Sequence, residues 1–291
     1  TVVSFGTSAP ELAVSLTSSL KGESGLALGN VVGSDIANLL LVLGLSSIIS
    51  PIAVKKSLGK REFPFLLGAT ILLLIFSFDN LLSGYTGVTN LLSRGEALIF
   101  VIGIAAFCYI SIVMAKKDAE IELANGEVVE EEQIEEMPIV KTLIFLVIGL
   151  AGIVIGAEFV TTPASAIATS IGVSAGVDLE LMTNLVGLTV VAIGTSLPEL
   201  VTSVMAAKKG ENEIAVGSNI FNILFICGMS GVITPLTMTA DIMTDMVISL
   251  GFTILVFSMI KKLKLTKGNG FVLVIVLYIL LAIILSGAFT C

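Results

Sequence analysis

The sequence predicts an all-α polytopic membrane protein built from two inverted-topology repeats of five helices each, with nine of those helices visible in its 291 residues. Three observations carry this. Hydrophobic residues make up 55% of the chain and charged residues only 13%, with a mean hydropathy of +1.07, whereas an ordinary soluble domain is about 25% charged. One polar motif occurs twice inside apolar segments. The basic residues fall almost entirely on one side of the alternating connections.

The first copy of the motif is GTSAPEL at Gly6 to Leu12, followed by GNVVGSDIAN at Gly29 to Asn38; the second is GTSLPEL at Gly194 to Leu200, followed by GSNIFN at Gly217 to Asn222. Gly6, Thr7, Ser8, Pro10 and Glu11 recur 188 residues later, and from Ser34 onward the offset is 184, pairing Ser34 with Ser218, Asn38 with Asn222, Gly44 with Gly228 and Pro51 with Pro235. The difference is a four-residue deletion in the second copy, where Asn30-Val31-Val32-Gly33 has no counterpart. Four residues are roughly one helical turn, a loss that can keep the facing of Ser218 and Asn222 while shortening the helix start; an altered site is the alternative.

A hydrocarbon core of about 30 Å takes roughly 20 helical residues. The segments that meet this need are Thr1 to Leu20, Leu26 to Ile49, Phe63 to Phe78, Leu98 to Ala115, Ile139 to about Ile171, Leu185 to Ala207, Ile214 to Ile233, Met243 to Ile260 and Phe271 to Leu285. Connections on one side then hold thirteen basic residues, from Lys55 to Lys267, and those on the other hold Lys21 and Arg94. By the positive-inside rule the first side is cytoplasmic and the C-terminus extracytoplasmic, in a multi-pass cell-membrane protein. The two motif helices are five apart, and an odd separation turns the second copy upside down. The second motif helix has a long helix before it, so symmetry calls for a tenth helix N-terminal to Thr1.

Domain organisation follows: residues 1–115 form the first half without its first helix, 116–138 a linker, and 139–291 the second half. Asp118 to Glu136 holds nine acids, and with Lys116 and Lys117 the stretch accounts for −7 of the net charge of −8. Lacking an apolar face, it is expected to be a flexible cytoplasmic linker. The spacing of Cys108, Cys227 and Cys291 fits packing rather than a metal site or a disulfide framework. No cofactor and no nucleic-acid partner is expected; the surroundings are the lipid bilayer.

At 3.6 residues per turn Ser4, Thr7, Ser8, Glu11 and Ser15 form one stripe. Pro10 cannot donate to the carbonyl of Gly6, so a kink and free carbonyl oxygens are expected there. Ser34 and Asn38 lie one turn apart on the next helix. The second copy repeats the set with Thr195, Ser196, Glu199, Thr202, Ser203, Ser218 and Asn222. A lone Ser, Thr or Pro in a membrane helix most often packs or kinks it, but an intramembrane carboxylate marks a functional site, and here the whole constellation is duplicated. Two carboxylates, two amides and several hydroxyls, with no thiolate or imidazole, suit hard cations, and two carboxylates balance one divalent ion. Duplicated motifs of this kind point to a secondary transporter with its site at the repeat interface. A channel filter is at odds with the inverted duplication, and an intramembrane protease would use a mid-helix Asp pair; the chain reads as a transporter and not an enzyme. Asp35, whose repeat counterpart is Asn219, and Glu158, in the long small-residue helix, stand outside the duplicated pattern.

The paired motifs resemble the two alpha repeats of the sodium/calcium exchanger family of cation/calcium antiporters, prokaryotic type, over nearly the whole chain. The resemblance implies a ten-helix antiporter exchanging Na⁺ for Ca²⁺. Glu11 and Glu199 would bind Ca²⁺ and share in Na⁺ binding. Thr7, Ser8, Thr195 and Ser196, with carbonyls near Ser4 and Ala192, would complete the ion shells, and Ser34, Asn38, Ser218 and Asn222 would supply the remaining oxygens. Potassium-dependent relatives carry Asp at the position of Asn222, which argues against K⁺ co-transport here. An H⁺/Ca²⁺ antiporter of the same fold is the alternative, although proton-coupled relatives often bear a His in the second motif helix and this chain has none.

Overall fold

A computed structural model describes residues 6–54, 58–78, 90–124, 138–174, 176, 192–208, 214–260 and 264–285. The helices are α1 (Ala9–Leu20), α2 (Ser24–Ala37), α3 (Leu43–Ile49), α4 (Phe63–Phe76), α5 (Arg94–Ala124), α6 (Ile139–Ser174), α7 (Ala192–Thr195), α8 (Leu197–Lys208), α9 (Ile214–Phe221), α10 (Gly228–Ile233), α11 (Ala240–Met259) and α12 (Lys267–Leu285). Three π-helical turns interrupt the series: π1 (Asn38–Val42) joins α2 to α3, π2 (Leu58–Glu62) leads into α4, and π3 (Asn222–Cys227) joins α9 to α10. Four strands of two residues each, β1 (Ile52–Ala53), β2 (Leu91–Leu92), β3 (Leu236–Thr237) and β4 (Lys264–Leu265), complete the described elements.

Each of the nine expected apolar segments contains helix, with shifted ends. The helix expected over Leu98 to Ala115 instead runs from Arg94 to Ala124, so the first residues of the acidic linker continue a helix; 125–137 lie outside the described residues. Its start is set by a capping box: Ser93 Oγ accepts from the Glu96 amide at 3.3 Å while the Ser93 amide donates to Glu96 Oε2 at 2.9 Å. The expected helix from Met243 begins at Ala240, with Thr239 as its cap. That from Phe271 begins at Lys267, where Thr266 and Asn269 make the same box, the Thr266 amide donating to Asn269 Oδ1 at 3.0 Å and the Asn269 amide to Thr266 Oγ1 at 3.2 Å.

Those two boxes lie 173 residues apart, and the same relation carries β2 onto β4. The strands then pair across the halves. β1, after the first motif pair, runs antiparallel to β4, with Ile52 opposite Leu265; β3, after the second, runs antiparallel to β2, with Leu92 opposite Leu236. Helix packing follows the same exchange: α3 packs on α12 and α10 on α5, α2 on π3 and α9 on π1, α8 on α3 and α1 on α10. Each half completes the other, as inverted repeats require.

Apolar surface is distributed as in a membrane protein. Ile102 and Tyr109 on α5, Ile148 and Phe159 on α6, and Ile275 and Tyr278 on α12 are exposed, whereas Glu11, Ser34, Glu199, Ser218 and Asn222 are buried. Ser24–Ile49, Arg94–Lys117, Val216–Ile233 and Ala240–Met259 are long and apolar enough to cross a bilayer. The chain is an all-α polytopic membrane protein, as the sequence predicts.

Close helix crossings rest on glycine. A Cβ at Gly270 of α12 would lie 2.6 Å from the carbonyl oxygen of Gly44 on α3, and one at Gly231 of α10 would lie 2.7 Å from the Ala97 Cβ on α5. Overpacking of this kind costs about 1–3 kcal/mol. Gly270→Leu and Gly231→Leu should therefore each lower the thermal unfolding midpoint of the detergent-solubilised protein. Gly68→Ala, where an added Cβ meets nothing within 4 Å, should leave it unchanged or raise it.

Candidate ion-binding site

The site begins with a break in each motif helix. A helical turn through Gly6 and Thr7 ends at Ser8, with φ −84° and ψ 13°, and α1 restarts at Ala9. Its first hydrogen bond runs from the Leu12 amide to the Ser8 carbonyl at 3.0 Å; in the second copy the Leu200 amide donates to the Ser196 carbonyl at 3.0 Å. Pro10 and Pro198 fall at the second residue of the new helices, where an amide has no intrahelical partner. The expected kink is thus a full interruption, and proline is tolerated because each helix starts there. Glu11 and Glu199 sit in the first turn, where the helix dipole favours a negative charge.

The breaks bring the two carboxylates together. Both are fully buried, and Glu11 feels the charge of Glu199. The halves cross over. Ser8 of the first copy donates to Glu199 Oε1 at 2.9 Å, with Thr7 also beside that carboxylate; Thr195 of the second copy and Ser34 stand beside Glu11. Glu11 Oε1 and Oε2 and Glu199 Oε2 form no well-aligned hydrogen bond of their own, although those hydroxyls stand nearby.

The adjoining helices add more oxygen. The π turns start at Asn38 and Asn222 themselves, and a π bulge turns a side chain away from the regular helical face, a device common at functional sites. Asn38 Nδ2 donates to Asn219 Oδ1 and Asn222 Nδ2 donates to Asp35 Oδ1, both at 3.0 Å, which fixes the NH₂ end of each amide and leaves its Oδ1 without a partner. The buried hydroxyls of Ser34, Ser196 and Ser218 have no partner either. Buried polar atoms are nearly always hydrogen-bonded, and leaving one unsatisfied costs about 1–3 kcal/mol. A cluster of unsatisfied acceptors around two carboxylates is the arrangement a cation would complete.

Of the expected residues, Thr7, Ser8, Glu11, Ser34, Asn38, Ser196, Glu199, Ser218 and Asn222 are all buried and Thr195 is half-buried; Thr7, Ser8, Ser34 and Thr195 are brought to the two carboxylates. Ala192 opens α7 just ahead of the second break, and Ser4 lies outside the described residues. With the deletion before Ser218, Ser218 and Asn222 are both buried. Thr202 is turned away: its hydroxyl donates to the Pro198 and Glu199 carbonyls at 2.8 and 3.1 Å. Ser15 bridges helices, donating to the Ala27 carbonyl at 3.2 Å.

The geometry adds Asp35, Asn219 and Asn30 to the expected set. The signal for the first two was their repeat pairing, one position after Ser34 and Ser218. Asn30, inside the four residues unique to the first copy, donates to the Glu11 carbonyl at 3.0 Å and to Ser15 Oγ at 2.9 Å.

The sodium/calcium exchanger protein family model matches residues 1–113 and 141–287. The chain belongs to that family. Among its relatives, the exchanger MaX1 of Methanosarcina acetivorans, named a sodium/calcium exchanger, is 32% identical over 287 residues, covering 88% of this chain and 79% of that protein. The putative antiporter CaxA of Alkalimonas amylolytica is 37% identical over 242 residues, covering 81% and 69%. The solved structure of the sodium-calcium exchanger NCX_Mj, soaked with Na⁺ and Sr²⁺, superposes with a TM-score of 0.73 at 29% identity, covering 97% of this chain and 84% of that one.

Asn30 uses both amide hydrogens to brace the turn that carries Glu11. Asn30→Asp, which keeps the shape and removes the donors, should destabilise the protein by about 1–3 kcal/mol, as should Asn30→Leu. Thermal unfolding in detergent reads the loss, and equal midpoints for the parent and Asn30→Asp would refute it.

Proposed function

We propose that this exchanger-family chain moves Ca²⁺ across the membrane in exchange for Na⁺, binding both between its two halves. The observation that carries this is the cluster of buried, unpartnered oxygens of Glu11, Glu199, Ser34, Asn38, Ser196, Ser218 and Asn222. The donor set is all oxygen and the chain contains no His, which fits a hard cation; Ca²⁺ takes about six to eight oxygens. Glu11 and Glu199 supply the charge, Asn38 and Asn222 neutral amide oxygens, and Thr7, Ser8, Thr195, Ser196, Ser34 and Ser218 hydroxyls, with carbonyls around Ser4 and Ala192 completing the shells. Two carboxylates neutralise one Ca²⁺, and with the divalent ion gone monovalent cations compensate them instead. That competition couples the two fluxes. The names of the relatives favour Na⁺ as the counter-ion, and the thirteen-to-two distribution of basic residues favours a cytoplasmic acidic linker.

In proteoliposomes loaded with Na⁺, ⁴⁵Ca²⁺ uptake should exceed that in choline-loaded vesicles at matched pH. Glu11→Gln and Glu199→Gln should each lower it on the order of a hundredfold or more, since breaking a buried charge pair costs about 3 kcal/mol or more. Uptake driven equally by a pH gradient without Na⁺ would overturn Na⁺ coupling in favour of H⁺; uptake that survives both substitutions would overturn the site.

A further inference from the structure

Asp35 and Asn219 occupy the same position in the two repeats, at the offset of 184 that also pairs Asn38 with Asn222. Both are buried, and each receives the amide of the opposite copy: Asn38 Nδ2 donates to Asn219 Oδ1, and Asn222 Nδ2 donates to Asp35 Oδ1. Asn219 Nδ2 in turn donates to the Asp35 backbone carbonyl at 3.0 Å.

The polarity of this network follows from which groups can only accept. A backbone carbonyl accepts and never donates, so Asn219 must show it the NH₂ end, and its Oδ1 faces Asn38. Asn38 must then answer with its own NH₂, leaving its Oδ1 without a partner. Asp35 Oδ1 likewise accepts, and it takes the NH₂ of Asn222, leaving that Oδ1 without a partner as well. Both chains of orientation end at Asp35, one at its side chain and one at its backbone. Either amide, turned over, would put NH₂ hydrogens where a cation should bind.

We propose that Asp35 and Asn219 are a cross-repeat pair of positioning residues that set the polarity of Asn222 and Asn38, and that Asp35 acts as an acceptor rather than as a third charged ion ligand. This rests on Asn38 and Asn222 being ion ligands, as argued above. It makes the two positions respond oppositely to isosteric exchange. Position 35 has only to accept, so Asp35→Asn, which can present its own Oδ1, keeps the function; Asn219 shows that an amide serves at this position in the other copy. Position 219 must donate to a carbonyl and accept from Asn38 together, so Asn219→Asp loses the donor and sets two acceptors against each other. A role in filling space would treat the two swaps alike.

The test is Na⁺-driven ⁴⁵Ca²⁺ uptake in proteoliposomes, read as apparent KM and maximal rate, for the parent, Asp35→Asn, Asp35→Leu, Asn219→Asp and Asn222→Leu, each checked for monodispersity. Asp35→Leu and Asn219→Asp should raise the Ca²⁺ KM roughly tenfold to a hundredfold, the usual cost of removing an outer-shell orienting partner, and Asp35→Asn should restore it to near the parent value. If Asn219→Asp does not fold, the contrast between Asp35→Asn and Asp35→Leu decides the same claim. Asp35→Asn as damaging as Glu11→Gln would overturn the proposal by making the charge a ligand, and an unchanged KM in Asp35→Leu would overturn it by making the contact idle. A parent without Na⁺-driven uptake, or Asn222→Leu with a normal KM, would instead defeat the ligand reading on which the pair depends.

Discussion

Two buried carboxylates are the constraint on which the rest of the structure depends. Glu11 and Glu199 lie together in the interior of an apolar chain, and three of their four oxygens form no well-aligned hydrogen bond. In such a place one ionised carboxylate costs several kcal/mol, and a second beside it adds repulsion. The first helical turn after each break and the hydroxyls of Ser8 and Thr7 offset part of this, but neither supplies a full positive charge. Positive charge brought to this pair would relieve both the desolvation and the repulsion.

Holding the pair requires backbone irregularities that hydrocarbon does not otherwise tolerate. The breaks at Ser8 and Ser196 and the π turns beginning at Asn38 and Asn222 all sit at the repeat interface, enclosed by Leu28, Val31, Leu40, Ile220, Ile223 and Ile226. Glycines let α12 and α5 approach α3 and α10, and the strand pairs β1–β4 and β2–β3 tie the two halves together where helices would leave the core. Irregular backbone in the middle is thus held by regular contacts around it, and those contacts come in symmetry-related pairs because the sequence is duplicated.

Duplication also explains how much was legible beforehand. The fold class, the two breaks as disturbances at Pro10 and Pro198, and most of the buried oxygens follow from two copies of one motif, since a repeated polar residue in an apolar helix needs an explanation that packing does not supply. Three readings fell short for physical reasons. Periodicity describes a continuous helix, so Pro10 looked like a kink, whereas its position as second residue of α1 is a helix start. Helical spacing placed Thr202 on the polar stripe, but a hydroxyl can bond back to its own helix, and this one does. Asp35 looked unpaired because its repeat counterpart differs in charge; the pairing lies in hydrogen-bond acceptance, which Asp and Asn share and which identity alone does not reveal.

The departures from symmetry are as informative as the symmetry. The first break is braced from below by Asn30, which holds the Glu11 carbonyl and Ser15, and the deletion removes this brace from the second copy. Identical halves would hold their two carboxylates in the same way. A hydrogen-bonded brace present in one half and missing from the other makes the halves unequal by the worth of its bonds, about 0.5–1.5 kcal/mol each. It places the stiffer half at Glu11, while the counterpart Glu199 carries the direct hydrogen bond from Ser8, so each carboxylate is fixed by a different device: Glu11 through its backbone and Glu199 through its side chain.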